Sequence, residues 1–248
     1  MIFSGGPIRG MTALRRRARL EHRLTRPDAS LADLDAAVGL ALEYRLAGLA
    51  VSPWLVRRAA RSLARTAVRV GTVIGFPHGG QVTATKAFEA SKALEDGATQ
   101  LDFVLNAGAL ASGDEEAVLN DMLAVVEMAH SGLAVAGVIV TGDDALLRRA
   151  CRLAARAGVD YLVTSTGDAS ASAAIARTAL VARLVDGGLA VKAAGAFTEL
   201  SELGDAVEAG AEQISTTFSA ELARELAAWL DGPVAAAPAL ADVGAAAG

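Results

Sequence analysis

Eight times between Leu20 and Leu230 a short apolar run gives way to a longer stretch with helical periodicity. No other property of the chain restricts its fold as much. The apolar runs fall near 20–24, 46–51, 68–76, 100–105, 133–140, 160–165, 189–193 and 212–217. The helical stretches follow near 30–45, 53–66, 82–96, 114–131, 143–157, 169–185, 199–209 and 219–230. A helix after every strand implies parallel pairing through right-handed crossovers, since a tight turn cannot bring two strands parallel. Eight units over 248 residues predict an α/β chain closed into a (β/α)8 TIM barrel; a doubly wound open sheet is the alternative on pattern alone.

Local punctuation agrees with this division. Ser30 and Asp33 have the spacing of a helix-capping pair, and Pro53 suits a first helical turn. Gly97, Gly158 and Gly210 each follow a periodic run, where a helix often ends in a left-handed residue. Aromatic residues make up only 4% of the chain, so the core must be built from Ala, Val, Leu and Ile, which suits helices on a parallel sheet. The expected organisation is a basic N-terminal arm at 1–19, the barrel at 20–231, and an Ala/Gly-rich tail at 232–248.

Several function classes lose support at this level. A net charge of −5 gives no electrostatic reason to expect nucleic acid. No run of about 18 residues is apolar without charge, so no membrane span is expected. The start of the chain has arginines but no apolar block before a cleavage signal, and a cytoplasmic location is expected. One cysteine, Cys151, excludes an internal disulfide and reads as a buried thiol; with three scattered histidines, neither a metal site nor a cofactor is expected. His130 lies near a helix end and reads as solvated. The expected partner is a small carbonyl substrate, and nothing bars a homodimer.

In a barrel of this kind chemistry sits at the C-terminal ends of the strands, so polar residues inside apolar strands stand out. Asp102 interrupts Leu101–Leu105, and Lys192 lies between Val191 and Ala193. Each alone would cost several kcal/mol to bury; on strands facing one lumen they offset one another. They read as a structural ion pair or as an acid–base pair of an active site. Glu21 and His22 open the first strand and divide evenly between structural and functional roles. Ser52, Asn106, Thr164, Ser165, Thr166 and Thr217 stand at strand ends, and His78 follows Pro77 in a loop beside Gly79-Gly80. Lys86, about a turn into the third helix, reads as a solvated position. Lys92 and Lys192 are the only other lysines.

Taken in order, several of these stretches resemble the deoxyribose-5-phosphate aldolase family over about residues 20–217. They are Leu20-Glu-His-Arg-Leu-Thr-Arg-Pro-Asp-Ala29, Val73-Ile-Gly-Phe-Pro-His-Gly79, Thr85-Lys-Ala-Phe-Glu-Ala90, Leu101-Asp-Phe-Val-Leu-Asn-Ala-Gly-Ala-Leu110, Thr164-Ser-Thr-Gly167 and Val191-Lys192. The resemblance implies the barrel and a class I mechanism, in which a lysine amine forms a Schiff base that serves as electron sink. In the family that lysine immediately precedes Thr-Ser-Thr-Gly; here the position is Val163, which has no amine. The family's second lysine matches Lys192, and its proton-relay aspartate matches Asp102.

Other positions depart in the same direction. The family's first-strand acid is Asp and here is Glu21; its asparagine after the second strand is Ser52; its fifth-strand glutamate falls near Val138. The phosphate-binding turns read Ala194-Gly-Ala196 and Ser215-Thr-Thr-Phe-Ser219, where Ala196 and Phe218 should impede an anion's approach to the backbone. The resemblance therefore implies a divergent, aldolase-like lyase. Lys192 is the expected catalytic residue, as a relocated Schiff-base lysine, with Asp102 and Glu21. Ser52, His78, Asn106, Thr164, Ser165, Thr166 and Thr217 are the expected substrate-binding residues. A non-covalent acid–base enzyme (cyclase, isomerase or dehydratase) using Asp102 and Lys192, and a non-catalytic small-molecule-binding relative, are the alternatives.

Overall fold

In the computed structural model, which describes residues 20–231, eight parallel strands close in sequence order into one barrel. They are β1 (Leu20–Leu24), β2 (Gly48–Val51), β3 (Arg69–Ile74), β4 (Gln100–Val104), β5 (Val135–Ile139), β6 (Tyr161–Val163), β7 (Ala190–Ala194) and β8 (Gln213–Thr216). Closure is by β1 against β8, with Glu21 opposite Ser215. The closed ring decides against an open sheet. The expected arm at 1–19 and tail at 232–248 lie outside the described residues.

The helices are α1 (Leu31–Glu43), α2 (Val56–Ser62), α3 (Thr83–Glu95), α4 (Ala107–Ala111), α5 (Glu115–Ser131), α6 (Asp144–Ala157), α7 (Ala171–Val185), α8 (Leu200–Glu208) and α9 (Ala220–Asp231). Their starts follow from side-chain chemistry. Ser30 and Asp33 form the expected reciprocal box on α1, and Asp114, Asp143 and Ser170 accept from the first-turn amides of α5, α6 and α7. Each such cap contributes about 1 kcal/mol. Gly158 ends α6 in the left-handed conformation, as its position after the periodic run requires.

The main apolar core lies between strands and helices, with Leu34, Leu49, Ile74, Phe103, Met122, Leu147, Leu162 and Ile214 among its fully buried members. A separate, smaller cluster of Val104, Ile139, Tyr161, Val163 and Ala194 fills one side of the lumen. Strand alternation makes the rest of the lumen polar: Glu21 and Arg23 on β1, Gln100 and Asp102 on β4, Lys192 on β7 and Ser215 on β8 share the inward parity. Small residues on neighbouring strands give these side chains room. A Cβ at Gly48 would meet Glu21, one at Gly71 would meet Gln100, and one at Gly137 would stand 2.0 Å from the Tyr161 ring.

Candidate active site

Asp102 and Lys192 meet across the lumen, with Nζ 2.8 Å from Asp102 Oδ2. The same ammonium lies 3.2 Å from each carboxylate oxygen of Glu21. Thus the three residues expected to be catalytic form one cluster, and Lys192 is fully buried while Glu21 and Asp102 are nearly so. Two residues join it that the strand-end search overlooked. The Tyr161 hydroxyl donates to Asp102 Oδ1, with its ring centroid 4.7 Å from the ammonium, and the Gln100 amide donates to Glu21 Oε2. Strand period supplies the missing signal: Tyr161 stands two residues before Val163, and Gln100 two before Asp102, so each pair shares a face.

Electrostatics sets the protonation states. Burial raises the Asp102 carboxyl above the usual range and the Glu21 charge adds to this, with the Lys192 charge opposing. Burial works against a charge on Lys192, but Asp102 and Glu21 outweigh it and raise the amine above the ordinary lysine value. Burial, then the charges of Asp102 and Glu21, holds the Tyr161 phenol well above its usual value. The site therefore favours an ammonium at Lys192 and a neutral phenol at Tyr161.

Val163 pairs in register with Lys192 and is buried in the apolar lumen cluster. Several expected binding residues are occupied by the fold itself. Thr164 is buried with its hydroxyl accepting from Ala194 N at 3.1 Å. The Ser165 hydroxyl donates to Ala194 O and accepts from Gly167 N, and Asn106 caps α4 through Ala109 N. Ser52 and Thr166 are half-buried and His78 is exposed. Thr217 lines the mouth, its hydroxyl donating to Arg23 O.

His22 faces away from Glu21, and its Nδ1 accepts from Phe218 N at 3.1 Å. Burial, reinforced by Arg23, lowers its pKa to about 4, so the ring is neutral and holds the loop after β8. Lys86, expected to be solvated, is instead completely buried: Nζ donates to Val104 O at 2.9 Å and to Asp121 Oδ2 at 2.5 Å. Its place on α3 is the reason, because Lys86, Ala90 and Ala93 form the stripe that faces the sheet. Cys151 is buried as expected, which pushes its thiol up to about 11. Gly79 does not offer an amide to an anion. Its N–H bonds Gly75 O, and a Cβ there would collide with Leu105 O, which is why glycine stands in this turn.

A cavity of about 300 Å3 opens at the barrel mouth, lined by Arg23, Arg26, Phe76, Pro77, Asp168 and Thr217 among others, and by none of the buried triad. Arg23 separates the two, one layer nearer the mouth than Glu21. Among the described residues no three His, Cys, Asp or Glu side chains gather as metal ligands would, and no helix is long and apolar enough to cross a membrane.

Comparison with known proteins bears on this arrangement as a whole. The family profile described as DeoC/LacD family aldolase matches residues 17–228. A deoxyribose-phosphate aldolase of Streptococcus equi subsp. zooepidemicus is 39% identical over 201 residues, covering 80% of this chain and 90% of the relative. The enzyme of that name from Streptococcus pneumoniae serotype 19F is 38% identical over the same shares. Among solved structures, an aldolase called QR15 superposes with a TM-score of 0.78 at 29% identity, covering 84% of this chain and 94% of its own. The deoxyribose phosphate aldolase of Aeropyrum pernix, described as a unique tetramer, gives 0.79 at 28% identity over 87% and 94%.

Proposed function

The chain belongs to the DeoC/LacD family of aldolases, and on that premise we propose that it cleaves or forms a bond beside the carbonyl of a small compound by non-covalent acid–base catalysis. One observation carries the reading: the Lys192 amine is bonded to both Asp102 and Glu21. An amine so placed keeps its proton and is a poor nucleophile, but a good donor to an oxygen that gains negative charge. In retro-aldol cleavage Asp102 takes the proton of the β-hydroxyl, the C–C bond breaks, and its electron pair enters the enolate whose oxygen accepts from Lys192. Asp102 then returns the proton to the enolate carbon, which completes the turnover and restores the carboxylate. Tyr161 and Gln100 fix the two carboxylates, so little reorganisation accompanies the step.

On the family resemblance Val163 stands where the Schiff-base lysine would be, so the family's usual covalent route lacks its nucleophile. A second reading places the Schiff base on Lys192 itself. It draws on the 2.8 Å contact between the Lys192 amine and Asp102 Oδ2, a direct path for the proton to pass to the carboxylate.

A panel of small aldehydes and ketones, incubated with the protein in D2O and separately with borohydride, distinguishes these. Enolate chemistry predicts deuterium uptake beside the carbonyl, slowed about 10²–10⁴-fold by Asp102→Asn, with no reduced adduct. A stable adduct mapped to Lys192 would move the chemistry to the covalent reading. Neither exchange nor adduct with any member of the panel would refute both.

A further inference from the structure

The carbonyl reading leaves open what else the substrate carries, and Arg23 bears on this. Its side chain lies on the lumen face of β1, two residues beyond Glu21, a separation of about 6.6 Å along a strand. Nη2 donates to Gly167 O at 2.7 Å, and the guanidinium rests so closely on Gly167 that a Cβ there would stand 1.5 Å from Nη1. Nη1 itself is buried without a hydrogen-bond partner. A buried, unpaired guanidinium N–H is costly to keep, and Arg23 is one of the residues that line the mouth cavity. The other cation in that wall, Arg26, is already engaged by Asp28 at 2.6 Å and Asp33 at 2.5 Å.

The backbone offers an anion little in the turns after β7 and β8. The amides of Gly195, Ala196 and Phe197 donate to Ser215 O, Ala169 O and Thr216 Oγ1, and that of Phe218 donates to His22 Nδ1. A phosphate dianion, which is held by several donors at once, finds these taken. A carboxylate needs only a planar fork. We propose, on the basis of the carbonyl reading above, that Arg23 is the subsite for a carboxylate, and that the substrate is a short oxo acid. Its carboxylate pairs with Arg23 in the mouth and its carbonyl points inward along β1 toward Lys192.

Butanoate, its uncharged analogue butanamide and inorganic phosphate, each titrated into the protein by calorimetry or NMR, test the assignment without need of turnover. Butanoate should bind, with butanamide about 10-fold weaker or worse and phosphate weaker than butanoate. Arg23→Met should weaken butanoate about 10-fold or more and leave butanamide unchanged. Asp168→Asn, at an exposed position in the same wall, keeps the test open if the Arg23 variant does not fold. Loss of that negative neighbour should tighten butanoate by about two- to threefold. Equal binding of butanoate and butanamide, insensitivity to Arg23→Met, or unchanged affinity in Asp168→Asn would overturn the proposal. So would phosphate binding more tightly than butanoate through Arg23. Because butanoate has no aldehyde or ketone group, its binding stands or falls separately from the enolate chemistry.

Discussion

Lys86 and Lys192 are both completely buried, one on each side of the same sheet, and they are neutralised in different ways. Outside the barrel, between α3, α5 and β4, Lys86 has one carboxylate and one backbone carbonyl. Inside, Lys192 has two carboxylates, and these have a phenol and an amide of their own. The outer arrangement balances one charge with one charge. The lumen holds more acid than base, and such a cluster can take up or release a proton without losing its counter-charge altogether. Burial alone therefore does not distinguish the two lysines; the surplus partner does.

The largest effects should separate the two sites by their response to double replacement. Lys86→Met leaves the Asp121 carboxylate buried and should cost about 3–5 kcal/mol in urea unfolding. Lys86→Met with Asp121→Leu removes both charges and should recover most of that loss. In the lumen, Lys192→Met with Asp102→Leu still leaves Glu21 buried against Gln100, so about 2 kcal/mol or more should remain missing. Full recovery in the lumen would show that Lys192 and Asp102 are a simple pair after all, and the contrast would collapse.

Much of this contrast was readable in the chain. The eight apolar runs coincide with the eight strands to within a few residues, because each strand is buried on both faces and needs no polar alternation to announce it. Asp102 and Lys192 stood out for the converse reason, being charges inside such runs. Lys86 was misread because α3 carries polar residues around it, and its membership of the 86, 90, 93 stripe shows only when the helix is phased. Asp121 lies likewise in the buried stripe of α5, with Val118, Met122 and Val125. Tyr161, Gln100 and Arg23 required both the inward face of each strand and the position of its neighbours. The short α4 escaped notice because five residues of Ala, Gly and Leu carry no helical period.

His22 extends the comparison along β1, where it occupies the outer face while Glu21 occupies the inner. Its folded pKa of about 4 lies below the unfolded value of 6.5, so below that value the unfolded chain binds more protons. Stability should then be full above pH 6.5 and fall as pH drops toward 4, by at most about 3 kcal/mol. His22→Asn, which keeps an acceptor for Phe218 N without a titrating ring, should flatten the melting temperature over that window. An unchanged slope would show that His22 does not carry the acid sensitivity.

The smallest change tests the lumen from within. Tyr161→Phe keeps the ring beside the Lys192 ammonium and removes only the hydroxyl that donates to Asp102. Loss of one buried hydrogen bond should cost about 1–2 kcal/mol, less than any change to the charges. Its value lies in direction. The phenol's hydrogen bond lowers the proton affinity of Asp102, against the burial that raises it. Without the phenol, Asp102 should hold its proton to higher pH, and the acidic limb of the deuterium-exchange profile should move upward. A variant that loses stability while its profile stays fixed would reduce Tyr161 to packing. The surplus carboxylate would then have to act through Glu21, and Glu21→Gln should move the profile where Tyr161→Phe did not.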